Sequence, residues 1–214
     1  MERIWLKNYP PGVPHDIDTT QYKSLTDLLE RAFREHGNSP FSVCMNRWMS
    51  YKQLDELSTA MGAWLQNKGL EPGSRVAIML PNLPQFAVTM AAILRAGYTC
   101  VNVNPLYTAR ELEHQLKDSG ATAIVILENF AATLQDVIER TAVQHVVLAS
   151  IGDLLGPING RWLSFAVRHL AKMVPPFELP LSGGRTVTPF NKAIAQGGSL
   201  NLRPTAQSMD DIAF

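Results

Sequence analysis

Apolar residues return along the chain with two different periods, and those periods predict the elements. Leu25, Leu28, Leu29, Ala32 and Phe33 fall at i, i+3, i+4, i+7 and i+8, a helical stripe that Gly37 ends. Phe41–Met45 and Trp48–Tyr51, joined through Asn46 and Arg47, read as a β-hairpin. Ser50 and Gln53 have the spacing of a capping box, in which each side chain satisfies the other residue's backbone N–H. The helix it opens carries Leu54, Leu57, Met61, Trp64 and Leu65 on one face and stops at Gly69.

Apolar runs follow at Arg75–Leu80, Tyr98–Val103, Ala121–Leu127 and His145–Ala149. They recur at intervals of roughly 23 residues, room for one strand, one helix and two short loops. Pro84 suits the first turn of a helix bearing Ala87, Met90, Ala91 and Leu94. Thr108 and Glu111 form a second capping box on a helix that Gly120 closes, and Leu134, Val137 and Ile138 mark a third helix. Parallel strands that are apolar on both faces must be covered on both faces. The predicted fold is therefore α/β, a doubly wound, mainly parallel sheet flanked by helices, with an N-terminal arm and a β-hairpin.

Three regions follow from this. Residues 1–20, with Pro10, Pro11 and Pro14, form an extended arm that must dock to be ordered, and residues 21–150 form the α/β lobe. Over 151–214 the βα rhythm is lost, and the segment reads as an irregular excursion with no fourth βα repeat. It contains one amphipathic stretch, Arg161–Val174. Trp162, Phe165, Ala166, Leu170 and Met173 share one face, while Arg161, Ser164, Arg168 and Lys172 share the other. Packing on the sheet is the commoner fate of such a helix. A basic amphipathic helix can also lie in a membrane interface, which makes Trp162, Phe165, Arg168 and Lys172 candidate membrane contacts. The terminal run Ser208–Phe214 resembles a strand start.

Composition narrows the function classes. Lys+Arg and Asp+Glu both number 19 in 214 residues, so no global field favours nucleic acid. Cys44 and Cys100 lie in apolar runs and read as two buried free thiols of a reducing cytosol. No signal peptide opens the chain and no run approaches the ~20 apolar residues of a membrane span. The expected location is cytoplasmic, at most peripheral on the cytoplasmic face of a membrane.

Candidate chemistry is sparse. The chain has no GxxxxGK[ST], GxGxxG, HExxH or GxSxG motif, and His15, His36, His114, His145 and His169 are scattered, so neither a metal site nor a catalytic constellation is predicted. Ser182–Thr186 is a glycine-rich turn without a lysine, and His114 lies on a charged, solvated helix face. In open parallel sheets ligands bind beyond the carboxyl ends of the strands. Those ends are Pro81–Asn82, Asn104–Tyr107 and Glu128–Asn129, with Asn104 and Pro105 preferred.

From Ser50-Tyr-Lys-Gln-Leu-Asp-Glu-Leu57 onward the sequence resembles the adenylate-forming enzymes. The likeness continues through Gly73-Ser-Arg-Val-Ala-Ile-Met-Leu-Pro-Asn82, Ala92–Pro105 and Leu106–Val125. Val101-Asn-Val-Asn-Pro-Leu-Tyr107 and Ile4-Trp-Leu-Lys-Asn-Tyr-Pro10 look like bacterial long-chain-fatty-acid–CoA ligases. The resemblance weakens only over 151–205. It implies ATP, Mg2+ and CoA as cofactors, a long-chain fatty acid as substrate, and a two-step reaction through an acyl-adenylate. It also implies that Asn104 and Pro105 lie near CoA, that the N-terminal arm reaches a second copy in a homodimer, and that the family's phosphate loop would follow Phe214. No residue of 1–214 matches a catalytic position of the family, so the chain is expected to be inactive alone. The alternative is a free-standing α/β binding or membrane-docking module without catalysis.

Overall fold

The computed structural model describes residues 2–214. Helix α1 (Leu25–His36) starts where the Ser24 hydroxyl accepts from the Asp27 N–H at 3.1 Å. Strands β1 (Pro40–Cys44) and β2 (Arg47–Ser50) form the hairpin. Its two turn residues, Met45 and Asn46, have φ of +47° and +61°, the left-handed pair a two-residue turn demands. The Ser50/Gln53 capping box opens α2 (Tyr51–Gln66).

The remaining elements alternate: β3 (Arg75–Met79), α3 (Pro84–Arg95), β4 (Thr99–Asn102), α4 (Ala109–Ser119), β5 (Ala123–Leu127), α5 (Ala131–Gln135), β6 (His145–Ala149), α6 (Asn159–Phe165), β7 (Thr186–Pro189) and α7 (Phe190–Gly197). The Thr108/Glu111 capping box opens α4. The five strands β3–β7 form one sheet, all parallel, in the order β4-β3-β5-β6-β7. The chain leaves β3 toward β4, then returns past β3 to β5 and proceeds outward. That reversal puts α3 on one face and α4 and α5 on the other, which is the doubly wound arrangement.

Period-two alternation divides the strands between two cores. Val76, Ile78, Val125 and Val147 face α2, α3 and α7, together with Trp64, Met61, Ile93 and Phe190. Ala77, Met79, Ile124, Ile126 and Val146 face α4 and α5, together with Leu112, Leu116, Leu134 and Ile138. Burying each of the larger side chains contributes roughly 1.5–3 kcal/mol. The seam between α2 and α7 is tight because Gly197 lies on the Ala60 carbonyl, where a methyl group would overlap it. Trp64 Nε1 donates to Gln196 Oε1 across the same seam at 2.9 Å.

The fifth parallel strand, β7, corrects the expectation of an irregular 151–214 without a further βα repeat. It has only four residues, Thr186-Val-Thr-Pro, preceded by Gly183 and Gly184 at positive φ, too short and too polar to register as an apolar run. Its neighbour β6 supplies the alignment: Val146 pairs with Val187, and the Thr186 hydroxyl lies 2.9 Å from His145 Nδ1. The cysteine expectation is half corrected: both thiols are free, but Cys44 is only half-buried. Cys100 lies in the core, and burial pushes its thiol up to about 12.

Residues after α7 run back over the lobe. Buried Gln66 holds this return, accepting from Arg203 N–H at 2.8 Å and donating to the Arg203 carbonyl at 3.1 Å. Further on, Cys100 N–H donates to the Ala213 carbonyl at 2.9 Å, and Gln115 Nε2 donates to the Asn102 carbonyl also at 2.9 Å. Both groups lie on the side of β4 turned away from β3. Among the described residues no helix is long and apolar enough to cross a membrane.

Candidate functional site

Strand order places the topological switch point between the carboxyl ends of β3 and β5. Polar side chains are buried there. Gln85, in the first turn of α3 behind Pro84, is fully buried; its Nε2 donates to the Ser150 carbonyl at 2.9 Å and the Asp153 carbonyl at 3.0 Å. Glu128, the residue after β5, is fully buried and ion-paired with Arg168. Asp153 accepts from the Ser150 N–H at 2.8 Å and from Asn191 Nδ2 at 2.7 Å. Burial is the main force on Asp153 and nearby Glu128 a lesser one; against the Ser150 N–H they raise its carboxyl to about 6. Gln85 Oε1, Glu128 Oε1 and Asn129 Oδ1 are buried without a protein partner.

The loop from β6 to α6 is shaped by glycine. Gly152 and Gly160 cross so closely that a methyl group on either would overlap the other's carbonyl oxygen. Leu154, between them, is held at φ +65°, a left-handed conformation that a leucine adopts only under constraint from its surroundings. Beside this crossing lies a cleft of about 740 Å³ lined by Arg161, Arg168 and His169, by Asp153, by Arg47 from the hairpin and by Asn191 from α7. With Arg168 held by Glu128, the guanidinium groups of Arg47 and Arg161 at this opening suit an anionic group such as a carboxylate or phosphate.

The preferred strand-end residues lie elsewhere. Asn104 is exposed at the end of β4, and its Oδ1 is occupied by the Leu106 N–H at 3.0 Å, so its side-chain oxygen shapes the turn. Leu106 projects into solvent, 81% exposed. Arg110 and His114 line a separate shallow recess beside that loop, together with Thr108 and Glu111. Of the three strand ends weighed from sequence, Glu128–Asn129 is the one built into a buried polar cluster. Gln85, Asp153, Asn191 and Arg47 carry no motif; only the fold brings them together.

The glycine-rich turn weighed from sequence does not line this cleft. Ser182–Gly184 is a 3-10 turn at the amino end of β7, away from the cleft, and Arg185 is turned inward to the Val143 carbonyl at 3.1 Å. Among the described residues no three His, Cys, Asp or Glu side chains are grouped to hold a metal ion.

The Arg161–Val174 stretch departs from a single amphipathic helix. α6 ends at Phe165 and a π turn follows over Ala166–Leu170, with Lys172 at φ +50°. The apolar face does not pack on the sheet: Trp162 is 64% exposed and Leu170 66%. Arg168 points back to Glu128, so its charge is partly committed inside the fold.

A family model described as AMP-binding enzyme matches residues 29–214. The chain is 43% identical over its whole length to the long-chain-fatty-acid–CoA ligase of Escherichia coli O157:H7, and 47% identical over 84% of its length to that of Yersinia pestis. It spans 37% and 32% of those two proteins. Among solved structures, a long-chain-fatty-acid–CoA ligase of Archaeoglobus fulgidus aligns with a TM-score of 0.62 at 21% identity, over 92% of this chain and 34% of that one. The AMP-bound A-PCP didomain of a carboxylic acid reductase from Segniliparus rugosus aligns at 0.68 and 18% identity, over 91% and 30%. These two likenesses concern the fold.

Proposed function

The chain belongs to the AMP-binding enzyme family, and from that premise we propose that it forms the α/β lobe of an ATP-dependent long-chain fatty acid–CoA ligase. The observation that carries this reading is 43% identity, over the whole of this chain, to a protein named for that activity. In the proposed reaction the fatty carboxylate attacks ATP, forming a mixed anhydride with AMP and releasing pyrophosphate. The CoA thiol then displaces AMP. A carboxylate is a poor acyl donor, and adenylation supplies the leaving group.

On this reading residues 1–20 are an arm, the lobe begins at 21 and takes in β7 and α7, and the β6–α6 loop closes its carboxyl edge. Asn104 and Pro105 lie near the path of CoA, where Arg110 and His114 offer groups for a phosphate. The exposed Ile4 and Trp5 support an arm that reaches a second copy. The 214-residue chain completes neither step alone, since it supplies no lysine-bearing phosphate loop and, among the described residues, no cluster of magnesium ligands.

The test is an assay of AMP and thioester formation from palmitate, ATP, Mg2+ and CoA. The native polypeptide that contains this chain should form both products in equal amounts, and the isolated chain neither. Turnover by the isolated chain would refute the division of labour. A native polypeptide that binds these ligands without forming either product would favour a binding module instead.

A further inference from the structure

The cleft beside the β6–α6 loop has an apolar neighbour. A second, narrower cavity of about 190 Å³ is lined by Trp48, Met49, Leu57 and Pro84, and it shares Arg47 and Leu154 with the cleft as walls. Met49 is buried, and Leu57 and Leu154 pack against the core that α2 and α3 cover. The apolar lining is therefore fixed by the fold. Leu154 is also the residue held at φ +65°, and backbone strain of this kind collects at ligand sites.

The charges at the opening select one sign of ligand. Among the described residues, the guanidinium groups of Arg47, at the start of β2, and Arg161, on α6, make no ion pair and no hydrogen bond. The carboxylates around them are committed elsewhere: Glu128 pairs with Arg168, and Asp153 accepts from the Ser150 N–H and Asn191. Glu56 also lines the narrow cavity, but it is exposed on α2 and forms no ion pair with Arg47.

We propose that the two cavities together form a binding site for an amphiphilic monoanion, a carboxylate on an aliphatic chain. The carboxylate takes the forked donors of Arg47 and Arg161, which match its two oxygens. The chain passes Leu154 into the narrow cavity, where its methylenes leave water. Inorganic phosphate would leave that cavity unfilled, and a neutral lipid would leave both guanidinium groups unpaired. The geometry identifies this class by itself. The inference rests on the ligase reading only in making fatty carboxylates the members of the class that the protein meets.

The test is isothermal titration of the purified chain with decanoate, kept below the concentration at which it forms micelles. Saturable binding at one site per chain is expected. Decanol, which lacks the charge, and acetate, which lacks the chain, should each bind at least roughly tenfold more weakly. R47S/R161S should weaken decanoate binding by about tenfold or more, and W48S should weaken it by opening the narrow cavity. W162S removes a tryptophan that lines neither cavity and should leave the affinity unchanged. Unchanged urea midpoints would show that each loss belongs to the site. Decanoate that binds no tighter than decanol or acetate overturns the proposal, as does an affinity indifferent to R47S/R161S. No turnover is read, so such a failure leaves the ligase reading standing, and a failed thioester assay leaves this site standing.

Discussion

The guanidinium of Arg168 is half-exposed, yet the carboxylate it pairs with, Glu128, has no solvent contact. An ion pair so lopsided is held by need: the buried partner cannot solvate itself, and Glu128 Oε1 has no other protein donor. R168A should therefore cost about 2–4 kcal/mol in urea denaturation, since it leaves an uncompensated buried charge. E128Q, which removes the charge but keeps the shape, should cost less. In the double variant R168A/E128Q most of the R168A loss should disappear.

Asp153 titrates in the opposite sense to most carboxylates. Its folded value is about 6 and its ordinary value 3.8, so the native state binds a proton more tightly than the unfolded chain does. Stability from this group is complete below its ordinary value and is lost as pH rises through its folded value. Relative to D153N, the wild-type chain should lose ~1–3 kcal/mol across that interval, discounted for the group's residual solvent contact. The amide oxygen introduced by D153N can still accept from Ser150, and Asn191 can turn its own amide to match. Parallel urea titrations of the two proteins measure the difference, and equal slopes would refute the assignment.

Arg95 is buried at 6% exposure and joins α3 to two other helices. Its Nε donates to Glu30 at 2.8 Å, its Nη1 to Ser58 at 2.7 Å and the Asp55 carbonyl at 3.0 Å, and its Nη2 to the Asp55 carboxylate at 2.8 Å. The guanidinium also lies over the Phe33 ring at 5.0 Å. A lysine ammonium cannot span this fork. R95K should lower stability by about 2–4 kcal/mol in urea denaturation in spite of keeping the charge.

Much of this architecture was legible in the sequence, for identifiable reasons. The strands at Val76, Ile124 and Val146 were readable because both their faces are buried, and the helices of Ser50 and Thr108 announce themselves by their caps. β7 was not readable because four residues give too little pattern; its place is fixed by β6, a tertiary effect. The polar cluster was hidden for a related reason. Gln85, Glu128, Asp153 and Arg168 are far apart in the chain, and nothing local to any of them shows that the switch point brings them together. The exposure of Trp162 was equally invisible, since an apolar helical face has the same spacing whether it meets a sheet or a solvent.

Gly197 tests the α2–α7 seam. G197A would place its methyl group against the Ala60 carbonyl, a backbone atom that cannot rotate away. The expected loss is about 1–3 kcal/mol in thermal or urea unfolding. It should be accompanied by weakening of the Trp64–Gln196 hydrogen bond, visible as faster exchange of the indole proton.

Strand β4 ends the sheet, and its outward backbone groups would ordinarily invite another chain. Two of them are already taken: the Cys100 N–H by Ala213 and the Asn102 carbonyl by the Gln115 side chain. The return segment thus acts as a guard on the growing end of the sheet. Its loosening would matter first for colloidal behaviour, with self-association along β4 preceding any loss of secondary structure.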